Sequence, residues 1–106
     1  MADKEDRLVK LFGSTSRARI LDFLCFHSGE SYYQREIMHE TGLSLQAVQW
    51  ELGILAELGI IKKQDAQARV YYHLNPSSPL LHPLVEICGS VRKEKHNNNR
   101  SSNLAT

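Results

Sequence analysis

The chain has 106 residues, with 13 Lys and Arg against 12 Asp and Glu, giving a formal net charge of +1. At this length it can bury about two thirds of its unfolded surface around one core but not two, and its near-balanced charge offers no bulk attraction for polyanions, so any nucleic-acid footprint must be local. No apolar run approaches the roughly 20 residues that span a bilayer, the N-terminal MADKEDRLVK has no signal-peptide core, and two cysteines without CxxC spacing are too few for a secreted disulfide scaffold. The expectation is a cytoplasmic protein with no membrane partner.

In chain order, residues 3–12 predict a short amphipathic helix whose apolar positions are Leu8, Val9, Leu11 and Phe12. Gly13 interrupts it, and Ser14 or Ser16 can cap a second helix that carries Ile20, Leu21, Phe23 and Leu24 toward a core and ends near Ser28 and Gly29. Residues 31–34, SYYQ, have the S-x-x-Q form of a capping box, but Tyr32 and Tyr33 favour a brief strand ahead of the next helix.

Residues 34–58 read as two amphipathic helices hinged at a tight glycine turn. In the first, Ile37, Met38 and Thr41 lie close to one face. Gly42 can take a left-handed backbone without a Cβ clash, so the chain turns sharply, and Ser44 is placed to cap the second helix. There Leu45, Val48, Leu52, Leu55 and Leu58 recur at three- and four-residue spacing, with Gln46, Gln49, Trp50 and Gly53 on another face; Gly59 marks the end. An ordinary helical hairpin with a solvated polar face is the plainer reading. Against it, most solvated helices carry Glu and Lys outward, whereas this one offers two amides, an indole and a glycine, and Gln can pair bidentately with adenine.

Residues 60–64 and 69–74 are short, rich in β-branched and aromatic residues and joined by the polar-small link 65–68, which predicts a β-hairpin. The link contains no Gly, so a longer, mobile tip is expected rather than a two-residue turn. Asn75, Pro76 and Pro79 punctuate the chain, and Leu80, Leu81, Leu84, Val85, Ile87, Cys88 and Val91 predict a last helix with more apolar surface than one small core needs. The expected division is a domain over 1–91 and a flexible polar tail over 92–106.

Helix, helix, helix-turn-helix, hairpin, helix is the order of a winged helix-turn-helix: a mainly α fold with about five helices and a two- to three-stranded wing sheet. The segments LFGSTSRARILDFL, YYQREIMHETGLSLQAVQWELGILAELGIIKK and RVYYHLNPSSPL together resemble the ArsR-type winged helix-turn-helix regulators over roughly residues 8–91. They are also similar to the winged-helix domain found fused in front of nucleotidyltransferases. The resemblance implies a sequence-specific double-stranded DNA-binding regulator, a dimeric repressor reading a palindromic operator, with residues 3–12 and 80–91 forming the homodimer interface.

Carried over residue by residue, the resemblance places Ser44, Gln46, Ala47, Gln49 and Trp50 in the major groove, with Gln46 and Gln49 reading bases and Ser44 with the helix's first N–H groups holding a phosphate. Trp50 departs from the Arg or His usual there; it either packs flat on a sugar or thymine methyl or turns sideways onto a neighbouring element. Arg69, with Lys62 and Lys63 on the opposing strand, matches wing contacts to the DNA backbone or minor groove; adjacent strand residues point to opposite faces, so at most one of the two lysines is expected to face DNA, and Lys63 is the candidate. Arg35 and Arg17 are candidate phosphate clamps, with Arg19 a weaker one.

Sensing is open. Cys25 with His27, and His82 with Glu86, are candidate metal-ligand pairs, but neither makes a set of four, so no metal or cofactor is expected. Cys25 and Cys88 fall in helices that some relatives use for redox sensing, which gives a redox-sensing repressor as one alternative, and a winged helix used for protein contacts as another. The latter would show acidic residues on the recognition face, which Glu51 and Glu57 are expected only to flank. No nucleophile, base and orienting residue assemble in the sequence, so no enzyme activity is expected.

Overall fold

A computed structural model describes residues 4–96 of the chain. Nine residues, Lys4–Phe12, form α1, and the backbone turns at Gly13 before Ser14, whose Oγ accepts the Arg17 N–H at 3.1 Å and caps α2, Thr15–Phe26. The strand β1, Ser31–Tyr33, leads directly into α3, Gln34–Thr41. The expected S-x-x-Q box does not form. Instead the Tyr33 N–H donates to Glu36 Oε1 at 3.0 Å, so the cap lies two residues later than the sequence pattern suggests.

The turn after α3 is as the sequence predicts. Gly42 adopts φ 73°, its N–H donates to the Met38 carbonyl at 2.8 Å, and Ser44 Oγ accepts the Ala47 N–H at 3.2 Å to start α4, Leu45–Glu57. Of the expected apolar stripe, Val48, Leu52 and Leu55 are buried, whereas Leu45 and Leu58, at the two ends of the helix, run past the edge of the core and are exposed.

The strands β2, Ile61–Ala66, and β3, Arg69–Leu74, pair antiparallel from Ile61 opposite Leu74 to Ala66 opposite Arg69, and β1 adds to the other side of β3 in the order β1-β3-β2. The hairpin tip is therefore only Gln67 and Ala68, which corrects the expectation of a long tip. Gln67 replaces the missing glycine by taking φ 56°, the single positive-φ non-glycine position among the described residues.

Asn75 closes the sheet against α4: its N–H donates to the Ile60 carbonyl at 2.8 Å and its side-chain amide to the Gly59 carbonyl at 2.9 Å. The final helix α5, Leu81–His96, continues past the expected boundary at residue 91, and the rest of the expected tail, 97–106, lies outside the described residues.

Two buried clusters hold these elements. The larger joins Ile20, Leu21 and Leu24 of α2 to Ile37 of α3, the α4 stripe, and Ile60, Ile61 and Leu74 around the sheet. The smaller sets Leu8 of α1, Ala18 and Cys25 of α2 and Cys88 of α5 together, with Val9, Val85, Ile87 and Val91 packed around them. Much of the surplus apolar surface of α1 and α5 is thus absorbed inside one copy of the chain, although Leu11 stays 58% exposed and Leu80 is also exposed.

Candidate nucleic-acid interface

The outward face of α4 follows from its period. Positions 46, 49, 50 and 53 lie opposite Val48, Leu52 and Leu55, so burying the stripe exposes Gln46, Gln49, Trp50 and Gly53 together. Ser44 is exposed at the N-terminus of the helix and Ala47 is half-buried beside it. Trp50 is 70% exposed, and none of the aromatic pairs among the described residues includes it. The sideways packing open to it in the sequence is not what the structure has.

Glu51 is not on the edge of this face but inside the protein. It is 4% exposed, and its Oε1 accepts from Arg17 Nε at 2.8 Å. Arg17, expected as a phosphate clamp, therefore has an internal partner: its side chain spans from α2 to α4. The spacing held the signal, since position 51 falls three after Val48 and four before Leu55, on the buried stripe. Glu57 remains exposed, at the far end of α4.

Arg19 is likewise engaged. Its Nε donates to Glu5 Oε2 at 3.1 Å and its Nη1 to the Thr41 carbonyl at 3.3 Å, tying α1 and the end of α3 to α2. Its role is to join helices.

Arg35, Lys63 and Arg69 are brought together. They line one open groove of about 980 Å³ between the start of α3 and the hairpin, with Tyr33, Gln34, His39 and Val70 among its walls. Register explains the selection of Lys63 over Lys62: Lys63 lies opposite Tyr72 on the face that continues into the core through Ile61 and Leu74, whereas Lys62 lies opposite His73 on the other face. The Arg69 guanidinium carbon sits 5.0 Å from the centroid of the Tyr33 ring, which fixes a long, otherwise mobile side chain at the groove edge. The α4 residues are not among the walls of this groove and form a separate exposed surface.

The groove floor is aromatic. Phe23, His27 and Tyr32 pack in tilted and edge-to-face pairs with centroids 4.8 to 6.0 Å apart. The Tyr32 phenol is pushed above its ordinary 10 by desolvation, by the hydrogen bond its hydroxyl donates to Glu30 at 3.0 Å, and by the negative charges of Glu30, Glu36 and Glu40. It is neutral at physiological pH.

Cys25 and Cys88 are buried in the smaller cluster and form no disulfide. His82 Nε2 and Glu86 Oε2 are 3.2 Å apart on the exposed side of α5, and no group of three or more His, Cys, Asp or Glu is placed to hold a metal ion among the described residues. No described helix is long and apolar enough to cross a membrane.

The fold is shared with solved winged-helix proteins. The chain superposes on a MarR-family transcriptional regulator from Silicibacter pomeroyi with a TM-score of 0.69 at 14% identity, covering 92% of this chain but only 64% of that one. It also matches a complex of Staphylococcus aureus MepR with DNA, at TM-score 0.64 and 23% identity over 96% of this chain and 84% of that one. A third match, at TM-score 0.62 and 21% identity over 90% and 83%, is the homodimeric winged helix-turn-helix domain Mb0332 from Mycobacterium bovis, described as a possible ArsR-family transcriptional regulator. A comparison with curated proteins gives no significant match. Residues 20–81, which run from α2 through the helix-turn-helix and the hairpin to the start of α5, match the family model of the Firmicute plasmid replication protein (RepL), and the chain belongs to that family.

Proposed function

We propose that the chain binds double-stranded DNA sequence-selectively, with α4 in the major groove and the β2–β3 hairpin on the flanking backbone. The observation that carries this reading is the composition of the α4 face: Gln46, Gln49, Trp50 and Gly53 are presented together, and the carboxylate at the middle of the helix, Glu51, is turned inward onto Arg17. A face with amide donors and acceptors and no central negative charge can approach base edges, whereas an acidic face would repel phosphates. Arg35, Lys63 and Arg69 bring three cations to one groove, against the two carboxylates Glu36 and Glu40 in the same lining, and supply the local positive charge that a net charge of +1 does not. Ser44 and the first N–H groups of α4 add a phosphate seat.

Membership of a plasmid replication family favours a target within a plasmid's replication region. A second reading, a transcriptional regulator that represses from a palindromic operator, is favoured by the fold it shares with the MarR-family regulator and MepR. In either setting a twofold dimer through α1 and α5 would set two α4 helices about 34 Å apart, matching half-sites about 10 bp apart. The proposal assigns no catalytic step to the chain, and DNA is preferred to a protein partner for the α4 face because no acidic residue stands at its centre to repel phosphates.

Selection of bound fragments from random duplexes tests this. A recurrent motif recovered by the wild-type chain, and lost with Gln49→Ala, supports base reading by α4. Recovery of no motif, or an unchanged motif from Gln49→Ala and Trp50→Ala, would reject it. Placing the recovered motif at a replication origin or at a promoter decides between the two settings.

A further inference from the structure

The side of the sheet that faces away from the core has its own composition. Strand alternation and the observed register put Ser31 and Tyr33 of β1, Arg69, Tyr71 and His73 of β3, and Lys62 and Gln64 of β2 on that side. Its opposite side carries Ile61, Leu74, Tyr32 and Tyr72, which pack against the larger core cluster. The strand residues of the outward side include two cations, an imidazole and two phenols but no carboxylate, because Asp65 belongs to the other side, opposite Val70.

Its aromatic groups are packed edge to face, at an interplanar angle of 62°. Tyr33 and Tyr71 are direct partners in the β1–β3 register, with ring centroids 5.4 Å apart, and Arg69 lies over the Tyr33 ring. Lys62 and His73 face each other one step further along. From Arg69 to His73 this strip is about 13 Å long, at the rise of a β-strand. Aromatic rings on a flat sheet flanked by cations hold unpaired bases by stacking and the phosphates by charge, and they do so with little sequence preference.

We propose that this outward face of the sheet binds single-stranded nucleic acid, with Tyr71 stacking a base and with Lys62 and Arg69, the latter seated over the Tyr33 ring, holding the backbone. The site is distinct from the α4 face proposed for duplex DNA, although Arg69 is shared with the hairpin contacts of that proposal. Stacking is what a duplex cannot offer here, since its bases are already paired and stacked.

The test uses the full 106-residue chain and fluorescence anisotropy at low salt, with 12-nucleotide oligothymidylate and oligouridylate as probes. The wild-type chain binds at least one of them, Tyr71→Phe binds within about twofold of wild type, and Tyr71→Leu weakens binding about tenfold or more, the loss expected for one stacked base. Trp50→Ala leaves it unchanged. If Tyr71→Leu does not fold by circular dichroism, Lys62→Glu on the exposed strand replaces it, with a loss of severalfold expected. Binding of neither oligomer overturns the proposal. So does a folded Tyr71→Leu that binds as wild type, an unchanged Lys62→Glu, or loss of oligomer binding in Trp50→Ala, which would move the strand to α4. Duplex selection that fails while Tyr71-dependent oligomer binding persists rejects the α4 reading and leaves this one standing; the converse rejects the platform alone.

Discussion

Arg17 Nε donates to Glu51 Oε1 at 2.8 Å, and this pair both fastens α2 to α4 and removes the central carboxylate from the α4 surface. The Glu51 side chain is 6% exposed and that of Arg17 31%, so solvent reaches one partner only. Replacing Arg17 by Met leaves a carboxylate buried with no counter-charge. The expected loss is about 2 to 3 kcal/mol in urea denaturation, below the range for a fully enclosed pair because Arg17 keeps access to water. The double variant Arg17→Met with Glu51→Leu should recover most of it. A single variant as stable as wild type would show that the pair contributes nothing to the fold.

Gly42→Ala should cost about 1 to 2 kcal/mol, since an L-residue must adopt φ 73° there. An added Cβ would meet Arg19 Nη1 at 3.9 Å, an ordinary contact, so the cost is conformational rather than steric. Thermal denaturation checks this, with Gly42→Asn expected to lose less, as Asn tolerates the left-handed region better.

The thiols of Cys25 and Cys88 should be slow toward a disulfide reagent in the native chain and fast once it is unfolded, because both are buried in the cluster between α2 and α5. Rapid stoichiometric reaction of native protein would favour the redox-sensing alternative.

A dimer through α1 and α5 predicts that Leu11→Glu, at a 58% exposed position, shifts the chain toward monomer in sedimentation at micromolar concentration without lowering its thermal midpoint. A wild-type chain that sediments as a monomer would remove the twofold operator geometry from the account.

Much of this architecture is legible in the sequence because it is written in local terms. Gly42, Ser44 and the spacing of Val48, Leu52 and Leu55 specify the helix-turn-helix without reference to the rest of the chain. What sequence reasoning missed depends on long-range placement or on a residue taking an uncommon conformation. Glu51 reads as a surface acid until Arg17, 34 residues away in sequence, is found beside it. The hairpin tip was expected to be long because no glycine is present, and Gln67 accepts the left-handed backbone instead. That same turn fixes the register, and only the register reveals that Tyr33, Tyr71 and Arg69 pack together on one side of the sheet while Lys63 faces the other. The convergence of Arg35, Lys63 and Arg69 on one groove is likewise visible only in the folded chain.

The central claim is that α4 reads bases while the hairpin holds the backbone, and equilibrium titration of a selected duplex and a random duplex over a range of salt concentrations tests it most directly. Gln49→Ala should narrow the gap between the two duplexes by about 1 to 3 kcal/mol with little change in salt slope. Arg69→Ala should weaken both duplexes alike and reduce the slope by about one. Equal losses on both duplexes from both variants, or no difference between selected and random DNA for the wild-type chain, would contradict the account.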